Sequence, residues 1–485
     1  MSSLKSEHYT GHVLLSQASR ADRRRWAGLA VLCVALFLEA MNLSSISVQI
    51  PAINEGLHLS TAIAQFVVSA YLVAYAGFLL LGGRIADLFS RRLVFMGGVV
   101  IFGLASLAAG LAQTPVVLVA ARACQGIGAA FTTPAAMSII VTTFAPGPER
   151  NRALGIYSMI GASGFAIGAV LAGILTSWLS WRWGFFDYVV IAVLVLLLTP
   201  LLVARSKRPA GPTQELDLAG AICVTVGLLI LVYAVGEANA VAAAQTLGSL
   251  AVALLLLSAF LIIEARGRAP MLPLSMFRLR TLTCASLVAF TQLAGFTCMI
   301  FISTLYLQNI LGFTPFQAGL VFVPMGVEAV VVSNLAPPLM QRLGSKQTLV
   351  LGLLLLTVGI ALTALISTQG TFWNVEIPSL LVGGGLSLAF PAMIGIAVAD
   401  VRDADQGLAS GLMTTSQQLG GALGLALITF IAALLTPRLA GTPSQQAINQ
   451  ALVSGFQPAL LLAAALALLG TIIALVGIKR SGPQA

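Results

Sequence analysis

Three ionisable side chains stand inside long apolar runs of this sequence: Glu39, Arg122 and Glu328. Such residues are costly in hydrocarbon and mark function by default. A carboxyl group whose surroundings alternate between burial and contact with a guanidinium takes up and gives off a proton, which is the chemistry that coupling to a proton gradient requires. Glu39 lies ~18 Å into the run that starts at Ala27, and Glu328 lies ~15 Å into another, so both fall near the middle of a bilayer. At ~100° per residue, Glu39, Asn42, Ile46 and Gln49 share one stripe, polar except for Ile46, that is expected to face a cavity. Gln125 stands one turn from Arg122. Phe37, Phe296 and Phe390 offer apolar or cation-π surface to a lipophilic cation. We therefore expect Glu39, Arg122 and Glu328 to carry proton coupling, and Asn42, Gln49, Gln125 and the three phenylalanines to contact substrate. Arg122 is expected to tune the protonation of Glu39, directly or through water.

The elements that must hold these residues follow from composition. The 485 residues are 58% hydrophobic and 8% charged, with a mean hydropathy of +0.99, which is too little polar surface to coat a water-soluble globule. The chain is read as an all-α integral membrane protein. Its net charge of +9 does not point to nucleic acid, because the basic residues punctuate apolar runs instead of gathering on one face. The five cysteines sit in apolar stretches without metal-ligand spacing, and His8, His12 and His58 lie in the tail or first loop, away from any buried relay. No cleavable signal is evident. A phosphate-binding loop, a zincin motif and a nucleophile elbow are all missing, so neither an enzyme nor an ATP-driven pump is expected, and no cofactor. The partners expected are a small-molecule substrate, protons and the lipid bilayer.

Hydropathy divides the chain into about fourteen spans. A polar tail (1–26) precedes six spans (27–204), a hydrophilic linker region with two further spans (205–280), six more spans (281–478) and a short tail (479–485). Under this map all of the 25 Lys and Arg except Arg122, Arg182 and Arg438 fall on the side of the N-terminal tail, which puts both termini in the cytoplasm. The two groups of six also repeat. Gly126, Gly128 and Pro134 correspond to Gly383, Gly385 and Pro391 at one displacement, and Gly155, Gly164 and Gly168 correspond to Gly411, Gly420 and Gly424 at nearly the same one. The loop Gly83–Arg92 corresponds in turn to Pro337–Lys346. The displacement covers an even number of spans, so the halves are parallel repeats and substrate is expected between them. Glu237, Glu264 and Glu376, near span ends, are expected at the interface; Asp187 is left open.

These residues carry a family resemblance. The loop GRIADLFSRR, with Gly83, Asp87, Arg91 and Arg92, is similar to the signature between spans two and three of the major facilitator superfamily. LVAARACQGIGAA, holding Arg122, Gln125, Gly126 and Gly128, resembles the fourth-span motif of its fourteen-span drug/proton antiporter branch, and GFAIGAVLAG, with Gly164, Gly168 and Gly173, resembles the fifth-span antiporter motif. The resemblance runs from about residue 27 to 478. It implies two six-helix bundles in parallel repeat plus two inserted helices, a cytoplasmic gate at Gly83, Asp87, Arg91 and Arg92, and a conformational helix at Gly164, Gly168 and Gly173. The expected function is proton-coupled export of amphipathic, cationic drugs by a monomer in the cell membrane, with antibiotic resistance as its outcome; the alternative is a transporter dedicated to one metabolite. Departures exist: Asn42 stands where the branch has aspartate, Ala169 replaces the antiporter proline, and Leu88, Ser90 and Gln341 depart from the signature loop and its second copy.

Overall fold

A peptide group in hydrocarbon has no water to bond, so each apolar run must satisfy its backbone internally and becomes a helix. In the computed structural model, which describes residues 2–144, 147–204, 217–238, 241–267, 274–402, 406–437 and 444–478, no strand occurs among the described residues. The first group comprises α1 (Ser2–Leu57), α2 (Thr61–Leu88), α3 (Arg91–Gly110), α4 (Pro115–Thr143), α5 (Pro148–Trp178) and α6 (Trp183–Leu202). Two helices follow, α7 (Leu218–Gly236) and α8 (Ala243–Arg266). The second group comprises α9 (Arg280–Leu305) with a π-helical turn (Tyr306–Ile310), α10 (Pro315–Val321), α11 (Val323–Ser333), α12 (Ala336–Leu343), α13 (Ser345–Thr363), α14 (Trp373–Val398), α15 (Gln406–Leu435) and α16 (Gln445–Gly477). Among the described residues, 14 segments are long and apolar enough to span a bilayer.

Helix ends obey capping more than hydropathy. Ser60, Thr114 and Ser444 each accept a bond from the backbone N–H three residues on, and Thr314 forms a reciprocal capping box with Gln317. The last helix therefore starts at Gln445, with a polar first turn ahead of its long apolar stretch. Likewise α1 begins at Ser2, inside the polar tail. α10 and α11 form one span interrupted at Phe322, where Pro324 has no N–H to offer the preceding turn.

The repeat is visible as packing. A Cβ on Gly98 would lie 2.8 Å from the Gly128 carbonyl oxygen and one on Gly128 2.9 Å from that of Gly98, so α3 and α4 touch backbone to backbone. The second bundle makes the same contact with Gly352 and Gly385, at 2.6 and 2.4 Å. Small residues allow this approach where no water is available to drive helices together. Gly128→Leu and Gly385→Leu should each lower stability by about 1–3 kcal/mol through overpacking, read as a drop in melting temperature in detergent. Gly155→Ala, with nothing within 4 Å of the added atom, is the control expected to melt like the parent.

The bundles meet along two seams. On the side away from the N-terminal tail, Gln308 Nε2 donates to the Val48 carbonyl at 2.9 Å, the Phe316 amide donates to Ser177 Oγ at 3.1 Å, and the Trp178 and Phe316 rings lie 6.0 Å apart. Along the other seam, α2 and α15 touch where Thr415 Oγ1 approaches the Ala76 carbonyl and Leu80 packs on Gly411. The outer part of α1, from Ser44 to Ile50, is buried throughout, whereas Val34, Leu36, Phe37, Glu39, Ala40 and Leu43 keep partial exposure. On the face opposite the tail, α1 is thus closed in between the bundles, while its tail-side half keeps partial exposure.

Candidate functional site

Arg122 is 1% exposed, so its charge needs neutral partners within the bundle. Its Nε donates to the Val67 carbonyl at 3.1 Å, and Nη1 donates to Asn42 Oδ1 at 2.7 Å and to Gln125 Oε1 at 2.8 Å. Gln125 Nε2 passes the chain on to Ser106 Oγ at 2.8 Å, and Ser106 donates to the Phe102 carbonyl at 2.7 Å. The guanidinium carbon sits 4.7 Å from the centre of the Tyr71 ring, a cation-π contact at a buried site. Among the described residues no carboxylate forms an ion pair with Arg122.

Glu39 lies one turn along α1 from Asn42. Its Oε2 accepts from Thr133 Oγ1 at 3.0 Å, and the Tyr75 hydroxyl also bonds to it. Tyr71 and Tyr75, one turn apart on α2 with ring centres 6.0 Å apart, stand between the carboxylate and the guanidinium. The direct pairing of Arg122 with Glu39 is therefore not what forms. Two amide side chains reach the guanidinium first, and the carboxylate is left to hydroxyl donors.

The residues expected to contact substrate are placed as follows. Asn42 and Gln49 are each 1% exposed and Gln125 is fully buried, so the polar stripe points into the first bundle, and only Glu39 on it keeps partial exposure. Phe296, 4% exposed, stacks on Phe165 at 5.7 Å between the bundles. Phe37 is half-buried and Phe390 exposed. Glu328 belongs to the second bundle: a Cβ on Gly384 would lie 2.6 Å from its Oε1, and its Oε2 is sealed without a partner. Glu237, Glu264 and Glu376 are buried at span ends instead of facing the interface, Glu237 accepting from Ser60 Oγ at 3.2 Å.

The expected gate and conformational helix divide similarly. The close approach in the glycine pair belongs to Gly82, whose added Cβ would stand 2.1 Å from the Ala130 carbonyl oxygen; Gly83 meets only Pro134, at 3.9 Å. Arg92 donates to the Val203 carbonyl at 3.1 Å, Arg91 Nε is buried without a partner, and the Asp87 side chain lies outside the described residues. Gly164 and Gly168 bring α5 onto α1 at Phe37 and Met41, while Gly173 brings it onto Phe316 of the other bundle. The Ala169 carbonyl abuts Gly319, so α5 is the wall the two bundles share, at the very position where the antiporter proline is replaced.

Thr133, Tyr71, Tyr75 and Ser106 escaped the sequence reading; the spacing of the two tyrosines on an otherwise apolar span was the available signal. So did Gln292. Gly420 lies on the Phe290 carbonyl as Gly164 lies on that of Phe37, and Gly424 lies on Ala294 as Gly168 lies on Met41. The displacement that relates those contacts carries Glu39 onto Gln292, a fully buried amide with neither polar atom bonded.

The profile of the Major Facilitator Superfamily matches residues 32–425. The chain belongs to that superfamily. It is 35% identical over 453 residues to the cephamycin export protein CmcT of Amycolatopsis lactamdurans, covering 92% of this chain and 91% of that one. It is 35% identical to the puromycin resistance protein pur8 of Streptomyces alboniger, covering 84% and 82%, and 30% identical to the multidrug resistance protein Stp of Mycobacterium tuberculosis, covering 84% and 76%. The crystal structure of a nucleoside transporter aligns over 94% of this chain and 100% of that one with a TM-score of 0.66 at 12% identity, which shows the shared fold. As a member of the Major Facilitator Superfamily, the chain is a membrane-spanning transporter of small molecules built from two six-helix bundles and two inserted helices.

Proposed function

We infer that this transporter exports amphipathic, cationic compounds from the cytoplasm in exchange for protons, acting as a monomer in the cell membrane with both termini cytoplasmic. One observation carries the reading: Glu39, a carboxylate near mid-membrane, lies on the partly exposed tail-side half of α1 and is held by hydroxyls that can follow a change of charge. A compound entering from that side competes with a proton for the same group. Once the bundles rock and the opposite face opens, the compound leaves and Glu39 loads a proton from outside. The relatives, which include export and resistance proteins, support the outward direction.

The test is uptake of labelled puromycin, lincomycin and tetraphenylphosphonium into inverted vesicles with and without a pH gradient, acid inside. Accumulation that needs the gradient is the expected result, and gradient-independent uptake of every probe would sink the antiport reading. A second reading, a carrier dedicated to one compound, is favoured by relatives named for single antibiotics. Cells producing such a carrier should gain resistance to one compound class; the broad exporter should protect against several unrelated ones.

A further inference from the structure

Between α1 and α6, four sealed polar atoms have no hydrogen-bond partner: Gln49 Nε2, both carboxylate oxygens of Asp187, and the Tyr188 hydroxyl. Gly184 explains how they come together. A Cβ there would stand 1.6 Å from Gln49 Nε2, so the amide lies directly on the α6 backbone, one turn from Asp187 on the same face. The N-terminus of α6 is no partner for the carboxylate, because the amides of Trp183, Gly184, Phe185 and Phe186 already donate to the carbonyls of Ser180, Trp181 and Arg182. The Tyr188 amide approaches without bonding geometry. Of the charged groups around it, Arg182 is turned away to the Ala112 carbonyl and the Trp181 ring. Arg122 reaches toward Tyr188 but is held by Asn42 and Gln125. Gln49, which lies on Gly184, and Ser45, which lies beside Tyr188, are polar side chains that α1 brings to this face of α6, and neither titrates.

A carboxylate whose oxygens are sealed in this way must be neutralised, and among the described residues no cation pairs with it. Height along α1 orders the parts. Asn42, at the level of Arg122, is followed by Ser45 beside Tyr188 and then by Gln49 beside Asp187's helix, ~10 Å beyond Asn42, while Glu39 lies ~4.5 Å on the other side.

We propose that Asp187, with Gln49 and Tyr188, is a second proton-binding station, occluded in this conformation and separated from Glu39 by the Arg122 cation. The guanidinium between the two carboxyl groups opposes passage of a proton, so both stations can be loaded without a continuous leak across the protein. Asp187 exchanges its proton when the face opposite the tail opens, as Glu39 does when the tail side opens. The role of Asp187 in transport rests on the proton-coupled reading above; its protonation does not.

Infrared difference titration of the full chain reconstituted in lipid tests this. The wild-type protein should show a protonated-carboxyl stretch near neutral pH from which Asp187→Asn removes one component and Glu39→Gln another. Asp187→Glu should retain the component at a shifted frequency, and Tyr188→Phe should retain it too. Transfer to deuterated buffer should shift the Glu39 component at least tenfold faster than the Asp187 component. An Asp187→Asn spectrum identical to that of the wild type, with both proteins melting cooperatively, overturns the station; equal exchange rates overturn the occlusion. If the vesicles described above show no gradient dependence while the Asp187 component is present, the antiport reading fails and the station stands.

Discussion

Inverted vesicles carrying Glu39→Gln should accumulate substrate no better with a pH gradient than without one, and substrate addition should move no protons. Glutamine keeps the size of the side chain and can still bond Thr133 and Tyr75, so the helices should assemble as before. What is lost is the ability to change charge. Exchange of labelled for unlabelled compound, which needs binding and rocking but no net proton, should survive for uncharged probes. Cationic probes should bind more weakly at pH values where wild-type Glu39 is ionised, because the counter-charge has gone, and about equally where it is protonated. A variant that still acidifies or alkalinises the vesicle interior in step with substrate would remove Glu39 from the mechanism.

Arg122→Leu should abolish transport and also weaken the fold, and the two losses have one origin. The leucine leaves the side-chain oxygens of Asn42 and Gln125 facing an apolar space, at about 1–3 kcal/mol for each acceptor left unpaired. Arg122→Lys keeps a charge yet cannot reproduce a planar fork that reaches Val67, Asn42 and Gln125 together, so it should melt nearer the wild type while transporting poorly. The triple variant Arg122→Leu, Asn42→Leu, Gln125→Leu should regain part of the lost stability and none of the transport. Stability and flux measured side by side decide the matter: a leucine variant that melts and transports like the parent would reduce Arg122 to filler.

The sequence made the helices legible because hydrocarbon leaves a spanning chain little choice, and the glycine displacements made the repeat legible because backbone contacts such as Gly128 on Gly98 tolerate no other residue. Arg122, Glu39 and Glu328 could be picked out by their cost alone. Their partners could not. Whether Arg122 meets a carboxylate or two amides depends on which helix faces rotate inward, and an amphipathic stripe such as Glu39, Asn42 and Gln49 looks the same whether it lines a cavity or a bundle interior. The correspondence of Glu39 with Gln292 was hidden for a related reason: the first span of each bundle is displaced slightly differently from the fourth, and only the contacts of Gly164 and Gly420 reveal by how much.

The two inserted helices bear on how a greasy compound can arrive. α7 lies along α2, with Thr225 on Gly77, Tyr233 beside Phe66 and Glu237 bonded to Ser60, and it also touches α15, while α8 packs outside it and adds Phe260 beside Leu81. The seam between α2 and α15 is therefore roofed, and among the described residues no helix covers the seam between α5 and the broken α10–α11 span in the same way. A molecule dissolved among the acyl chains can thus reach one of the two inter-bundle seams and not the other, so sideways approach from the membrane becomes handed.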